Sequence, residues 1–248
     1  MKVRFLFLVL FFSVFFISCN RIIMKGVILS GKTGLEKMMK VENQLTGREI
    51  IMIGMIHLEK QEFFDEIRIY LDSLKNDGYM VFYEGIDMKK DVDSLRQDTL
   101  CRKFRRVAGF HLTDYTNKEN KSLPRIFSSG DYEMQTLDIL GLTTDRDTLV
   151  DLSLKEMIEQ YEHDKSPIVL NEYDWDTDLM EKYKIRKAGG KNQYSRYHLI
   201  RTIREDHIIE TVKATEYPKI VLLYGKAHWF MLYAPLRDMG FEIVEGKL

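Results

Sequence analysis

Residues 48–54 read REIIMIG, a continuous apolar run with β-branched residues, closed by glycine. That pattern predicts a strand covered on both faces. Over residues 60–78 the period changes. Phe63, Phe64, Ile67, Leu71 and Leu74 recur at helical spacing, and Gly78 supplies a stop. A second buried strand, YMVFYEG, follows at 79–85. Strand, helix and strand with short joints predict a parallel crossover. The pattern returns near the end of the chain: a long helix at 197–214, the strand KIVLLYG at 219–225, a helix with Trp229, Leu232, Tyr233 and Leu236 on one stripe, and a closing strand at 241–246. The expected fold is α/β, with a central, mainly parallel sheet built from two strand–helix–strand units.

The middle of the chain completes this as a helical insertion. DVDSLRQDTLCRKFRRV (91–107) and LSLKEMIEQYEH (152–163) predict helices, with turn signals and a weak strand or two over 111–150. Residues 164–193 are acidic, aromatic and irregular. They read as a lid over a site or as a solvated insertion; the second is preferred, because a long loop needs no function to exist. Residues just ahead of the first strand read as a short polar lead.

The first residues follow other rules. Lys2 and Arg4 precede an uncharged apolar run from Phe5 to Ile17, and Ser18-Cys19 follow. This is the build of an export signal. The alternative, a membrane-spanning anchor, needs about 20 apolar residues, more than the run supplies. The segment resembles a bacterial lipoprotein signal over residues 1–18. That resemblance implies that Cys19 is lipidated, that residues 19–248 form one exported domain, and that the protein is tethered to the cell envelope without spanning it. Cys101 is then the single remaining cysteine, so no internal disulfide forms. It reads as a residue on an ordinary helix face rather than as a nucleophile.

Composition narrows the partners. The chain has 248 residues, 45% of them hydrophobic, and a net charge of −1. That suffices for one substantial core, and the balanced charge leaves no basic footprint for nucleic acid.

Candidate chemistry comes from an internal echo. Gly54-Met55-Ile56-His57 follows the first strand, and Gly225-Lys226-Ala227-His228 follows the strand at 219–225. Both place Gly-x-x-His beyond the carboxyl end of a buried strand, where open α/β sheets bind ligands. Glycine there permits a tight turn and close approach. Glu84 ends the second strand at the same edge, and an unpaired buried carboxylate is too unfavourable to be core filling. If the three strands are neighbours, His57, Glu84 and His228 converge. Two imidazoles and a carboxylate with open positions suit a hydrolytic zinc site or a facial site for manganese or iron, and cobalt is a further candidate divalent ion. On the preceding helix, Arg201 and Glu205 at i,i+4 read as a pair on a solvated face. The sharper alternative brings Arg204 to the site, to hold Glu84 or a substrate oxyanion. His111, His163, His198 and His207 read as surface or structural residues, and Trp229 as core.

These residues resemble the TraB/GumN/Tiki family, part of a broader group with erythromycin-esterase-like and ChaN-like proteins. The resemblance rests on residues 53–85 and on 203–246, less than half of the chain. Its hallmarks fall on Gly54 and His57, Glu84, Arg204, and Gly225 and His228. Met55 stands where the family usually has a small or hydroxyl residue, and Glu205 follows the arginine where Asn or Asp is common. The resemblance implies a lipid-anchored, metal-dependent hydrolase, a peptidase acting on an extracytoplasmic peptide or on a small-molecule substrate. His57, Glu84 and His228 would then bind the metal, Glu84 would be a ligand or general base, and Arg204 would stabilise the oxyanion. The ChaN-like relatives imply a rival, a haem- or metal-binding lipoprotein without turnover, for which Tyr83 and Tyr224 lie near the edge. A non-catalytic peptide-capture module is the third class.

Overall fold

The structure, a computed structural model, describes residues 34–115, 131–185 and 193–248. The leader, Cys19 and the boundary between them lie outside the described residues. The strands are β1 (Gly34–Asn43), β2 (Arg48–Met55), β3 (Leu58–Lys60), β4 (Met80–Tyr83), β5 (Tyr132–Met134), β6 (Thr148–Leu149), β7 (Lys219–Gly225) and β8 (Phe241–Glu245). The helices are α1 (Gln61–Asn76), α2 (Ser94–Ala108), α3 (Leu154–Asp164), α4 (Glu172–Asp176), α5 (Gln193–Tyr197), α6 (Ile203–Ala214) and α7 (Trp229–Asp238). No helix among the described residues is long and apolar enough to cross a membrane.

The fold is α/β. Six strands form one sheet in the order β6-β4-β7-β2-β1-β8. The pairs β6–β4, β4–β7 and β7–β2 are parallel, while β1 runs antiparallel to both β2 and β8. Each strand–helix–strand unit is present, but its strands are not adjacent. β7 inserts between β2 and β4, and β2 with β1 separates β7 from β8. Local pattern fixes the elements of a crossover; how far it reaches depends on where the distant half of the chain inserts.

Alternation along the central strands supplies two cores. Ile50, Met52, Phe82, Ile220, Leu222 and Tyr224 face α6 and α7, which bring Ile208, Ile209, Val212, Trp229, Leu232 and Leu236. Ile51, Ile53, Val81, Tyr83, Val221 and Leu223 face α1, with Phe64, Ile67, Leu71 and Leu74. Both faces are covered, which is why these strands read as unbroken apolar runs. A third cluster joins α2, α3 and the start of the long C-terminal helix through Leu100, Phe104, Leu154, Met157, Ile158, Leu199 and Ile203. This is the helical insertion. Cys101 is buried there, and burial pushes its thiol up to about 11, so it is a core residue and a poor nucleophile at neutral pH. Trp229 is also core.

The polar lead ahead of β2 contains a strand. In β1, Met39 and Val41 are fully buried while Lys40 and Glu42 point away, so half of its residues look polar in sequence. The acidic segment after α3 is held by arginines of α2. Arg102 donates to the carbonyls of Asp174, Trp175 and Thr177, and buried Arg105 to those of Asp174, Thr177 and Asp178. Residues 174–178 are therefore fastened to the insertion. Residues 186–192 of the same segment lie outside the described residues.

Candidate functional site

Register brings the two Gly-x-x-His motifs side by side. Gly54 pairs with Tyr224, and Met55 with Gly225, at the ends of the parallel strands β2 and β7. β4 lies on the other flank of β7, and the Glu84 amide continues its ladder by donating to the Leu223 carbonyl at 3.1 Å. Period-two alternation gives Glu84 the same face as Phe82, the face covered by α6.

The Glu84 carboxylate is held at both oxygens. Arg204 Nη2 donates to Oε1 at 2.8 Å, and the Gly225 amide donates to Oε2 at 2.7 Å. Burial alone would raise its pKa, but Arg204, His57 and His228 outweigh burial and hold the carboxyl at about 2. The parallel register of β2, β7 and β4 brings the strand ends that carry His57, His228 and Glu84 to one edge of the sheet. The motif glycines serve close approach here. A Cβ on Gly225 would lie 3.1 Å from Glu84 Oε2, and one on Gly54 would lie 3.2 Å from both Lys226 Cβ and Trp229 Cζ2.

Arg204 takes the first of its two expected roles. It holds Glu84 and is itself held by Asp151, whose Oδ1 accepts from Nε at 2.9 Å and whose Oδ2 accepts from Nη2. Nη1 donates to the Ile200 carbonyl at 3.3 Å, and the guanidinium packs over the Tyr224 ring. The Tyr224 hydroxyl donates to Asp151 Oδ2 at 2.5 Å. Burial works against the charge of Arg204, yet Asp151 foremost keeps it protonated well beyond the ordinary range. With its donors committed to protein acceptors, this arginine holds Glu84 in place and is poorly placed to meet an oxyanion.

His228 lies at the end of the 3₁₀ turn Lys226–His228 and is buried. Its Nδ1 lies 2.8 Å from Glu205 Oε1, and its Nε2 lies 3.8 Å from Glu84 Oε1, too far for a hydrogen bond. Arg201 does pair with Glu205, at 3.0 Å, but the face is not solvated, since Glu205 is only 2% exposed. His57 is exposed beyond β2, with its carbonyl accepting from the Gln135 amide at 2.9 Å beside the small β3–β5 sheet.

Asp151 and Glu205 are functional neighbours that sequence reasoning missed. Asp151 follows β6 at the same edge as Glu84, but a two-residue strand carries too little pattern to reveal it. Glu205 was visible only as half of an i,i+4 pair. Among the remaining histidines, His111 bonds to Thr113 and His198 to Asp164, consistent with structural roles.

The ligand set for a divalent ion is assembled only in part. Glu84 Oε1 and His228 Nε2 face one another, but among the described residues no three His, Cys, Asp or Glu side chains close around a point that would hold an ion. The oxygen that would bind a cation already takes a guanidinium at 2.8 Å. As placed, these residues do not make a three-donor cage. The haem alternative loses Tyr224 as an axial ligand, because its hydroxyl is buried against Asp151. Compared with models of known protein families, with curated proteins and with solved structures, the chain matches none.

Proposed function

We propose that the carboxyl edge of β2, β4 and β7 is the active site of a hydrolase acting on a carbonyl centre of an extracytoplasmic peptide or small-molecule ester, brought to the cell envelope by lipid on Cys19. The observation that carries this reading is the state of His228. Its Nδ1 is engaged by buried Glu205 at 2.8 Å, while Nε2 makes no hydrogen bond among the described residues and stands 3.8 Å from Glu84 Oε1. An imidazole with Nδ1–H on a carboxylate offers an Nε2 lone pair, the form needed to take a proton from an attacking water. The imidazolium so formed keeps Nδ1 against Glu205 and Nε2 beside Glu84. The same nitrogen then returns the proton to the leaving group.

Glu84 does not act as the base in this scheme. Held at about 2, it is too weak a proton acceptor at neutral pH and works as a fixed negative charge. His57, exposed on the neighbouring strand end, is the group that meets the substrate.

A divalent ion is the second reading, favoured by the 3.8 Å separation of Glu84 Oε1 and His228 Nε2. His57, Glu84 and His228 are the residues that would hold it, and bound metal would polarise a carbonyl and lower the pKa of water. The test uses purified protein assayed on panels of esters and peptides, with and without chelator, alongside elemental analysis. His228→Ala and His57→Ala are expected to lower turnover by roughly 10²–10⁴-fold. Turnover that survives chelation in metal-free protein supports side-chain catalysis; loss on chelation, with stoichiometric metal that is absent from His57→Ala and His228→Ala, supports the ion. No turnover above the His228→Ala background on any substrate sinks the hydrolase reading and leaves peptide capture.

A further inference from the structure

Arg204 and Glu205 are consecutive on α6, both are buried, and both turn towards the sheet edge. Arg204 holds Glu84, and Glu205 holds His228. Glu205 Oε1 lies 2.8 Å from His228 Nδ1 and accepts from Arg201 Nε at 3.0 Å. Oε2 is buried and has no hydrogen-bond partner among the described residues. A side chain chosen for packing would not leave a carboxylate oxygen unsatisfied in the interior. Arg201 adds a second grip, because its Nη2 donates to the carbonyl of Ala227, the residue before His228. One guanidinium thus ties together the carboxylate that holds the ring and the backbone that carries it. Arg201 itself lies in a π-helical turn, His198–Thr202, a local widening of the long helix of the kind that recurs at functional sites.

We propose that Glu205 is the positioning residue of the second motif: with Arg201 as its buttress, it fixes His228 in the Nδ1–H tautomer and aims Nε2 at the substrate side of Glu84. The inference rests on the hydrolase reading only in taking Nε2 as the working atom. Water favours the opposite tautomer for a free histidine, with the proton on Nε2, so the partner on Nδ1 decides which nitrogen carries the lone pair. Glutamine at 205 would keep an amide oxygen towards Arg201 and His228, whereas leucine would remove the acceptor.

The experiment is long-range ¹H–¹⁵N correlation of the imidazoles in full-length protein labelled at histidine, recorded over a rising pH series until the ring nitrogen shifts no longer change. His228 is assigned by its loss in His228→Gln. Wild-type protein is expected to show Nδ1 protonated and Nε2 bare at His228. Glu205→Gln is expected to retain that pattern, and Glu205→Leu to shift it to Nε2–H, with turnover lowered by roughly 10²-fold or more. Wild-type His228 protonated on Nε2 overturns the proposal, as does an unchanged tautomer in Glu205→Leu. If the leucine variant does not fold, the wild-type and glutamine spectra still decide. Protein that shows the expected tautomers but hydrolyses nothing refutes the proposed reaction and leaves the positioning role standing.

Discussion

Replacing Arg204 by methionine tests the electrostatic core of the site. In the wild type Glu84 is held at about 2 against an ordinary 4.5, despite burial that would raise it. At about 1.4 kcal/mol for each tenfold in proton affinity, that difference is worth about 3 kcal/mol of folded-state stability at neutral pH. The sign follows from a lowered folded-state pKa: the contribution is fully present above 4.5 and is lost as pH falls from there towards 2. Methionine keeps the length and apolar stem but removes the charge, leaving Glu84 and Asp151 buried together. Removing one partner of a buried ion pair costs about 3–5 kcal/mol, in line with the figure from Glu84 alone. Without the guanidinium, burial acts on Glu84 against less opposition, so its carboxyl binds protons more readily than in the wild type. The variant then recovers part of its deficit as pH falls.

Urea unfolding followed by circular dichroism from pH 8 to pH 4 reads this directly. The gap between Arg204→Met and wild type is expected to be about 3–5 kcal/mol at pH 7 and clearly smaller at pH 4. A gap below about 1 kcal/mol at pH 7 would mean that the pair is no more than a surface-type contact. A gap independent of pH would mean that the loss comes from packing and not from stranded carboxylates. Either result refutes the reasoning.

Gly225→Ala places a Cβ 3.1 Å from Glu84 Oε2, so it is expected to displace the carboxylate, destabilise by about 1–3 kcal/mol and reduce turnover, checked by melting and kinetics together. Arg105→Met removes the buried donor to the Asp174, Thr177 and Asp178 carbonyls; hydrogen exchange is expected to quicken over 172–183, with strand β7 unaffected. Ser153→Ala deletes the capping box that begins α3 and is expected to cost about 1 kcal/mol, read as a drop of about 2–4 °C in Tm. Cys19→Ser is expected to abolish lipid labelling and release the protein from membranes; unchanged membrane attachment would rule out the lipoprotein reading.

Legibility followed burial. β2, β4 and β7 stood out because helices cover both of their faces, so few polar residues interrupt them. β1 reads as a polar lead because charged residues such as Lys40 and Glu42 alternate with its buried ones, and β6 is too short to have a period. Within the site, the histidines, Glu84 and the glycines were legible from their place beyond strand ends. Asp151 and Glu205 were not, because one follows a strand of two residues and the other sits in a helix whose polar residues look solvated.

The sequence by itself determined four strands of the central layer, β2, β4, β7 and β8, the helices that follow β2 and flank β7, and that three reactive side chains stand at strand ends, because hydrophobic period and chain direction are local properties. Only the tertiary structure decided that β7 inserts between β2 and β4, which puts two imidazoles and a carboxylate at one edge. It alone decided which groups surround them: Arg204 is spent on Glu84 and Asp151, and Glu205 is turned onto His228. The physical reason is that an ion pair depends on separations of a few ångströms between residues far apart in the chain, and such distances are set by strand order and helix packing.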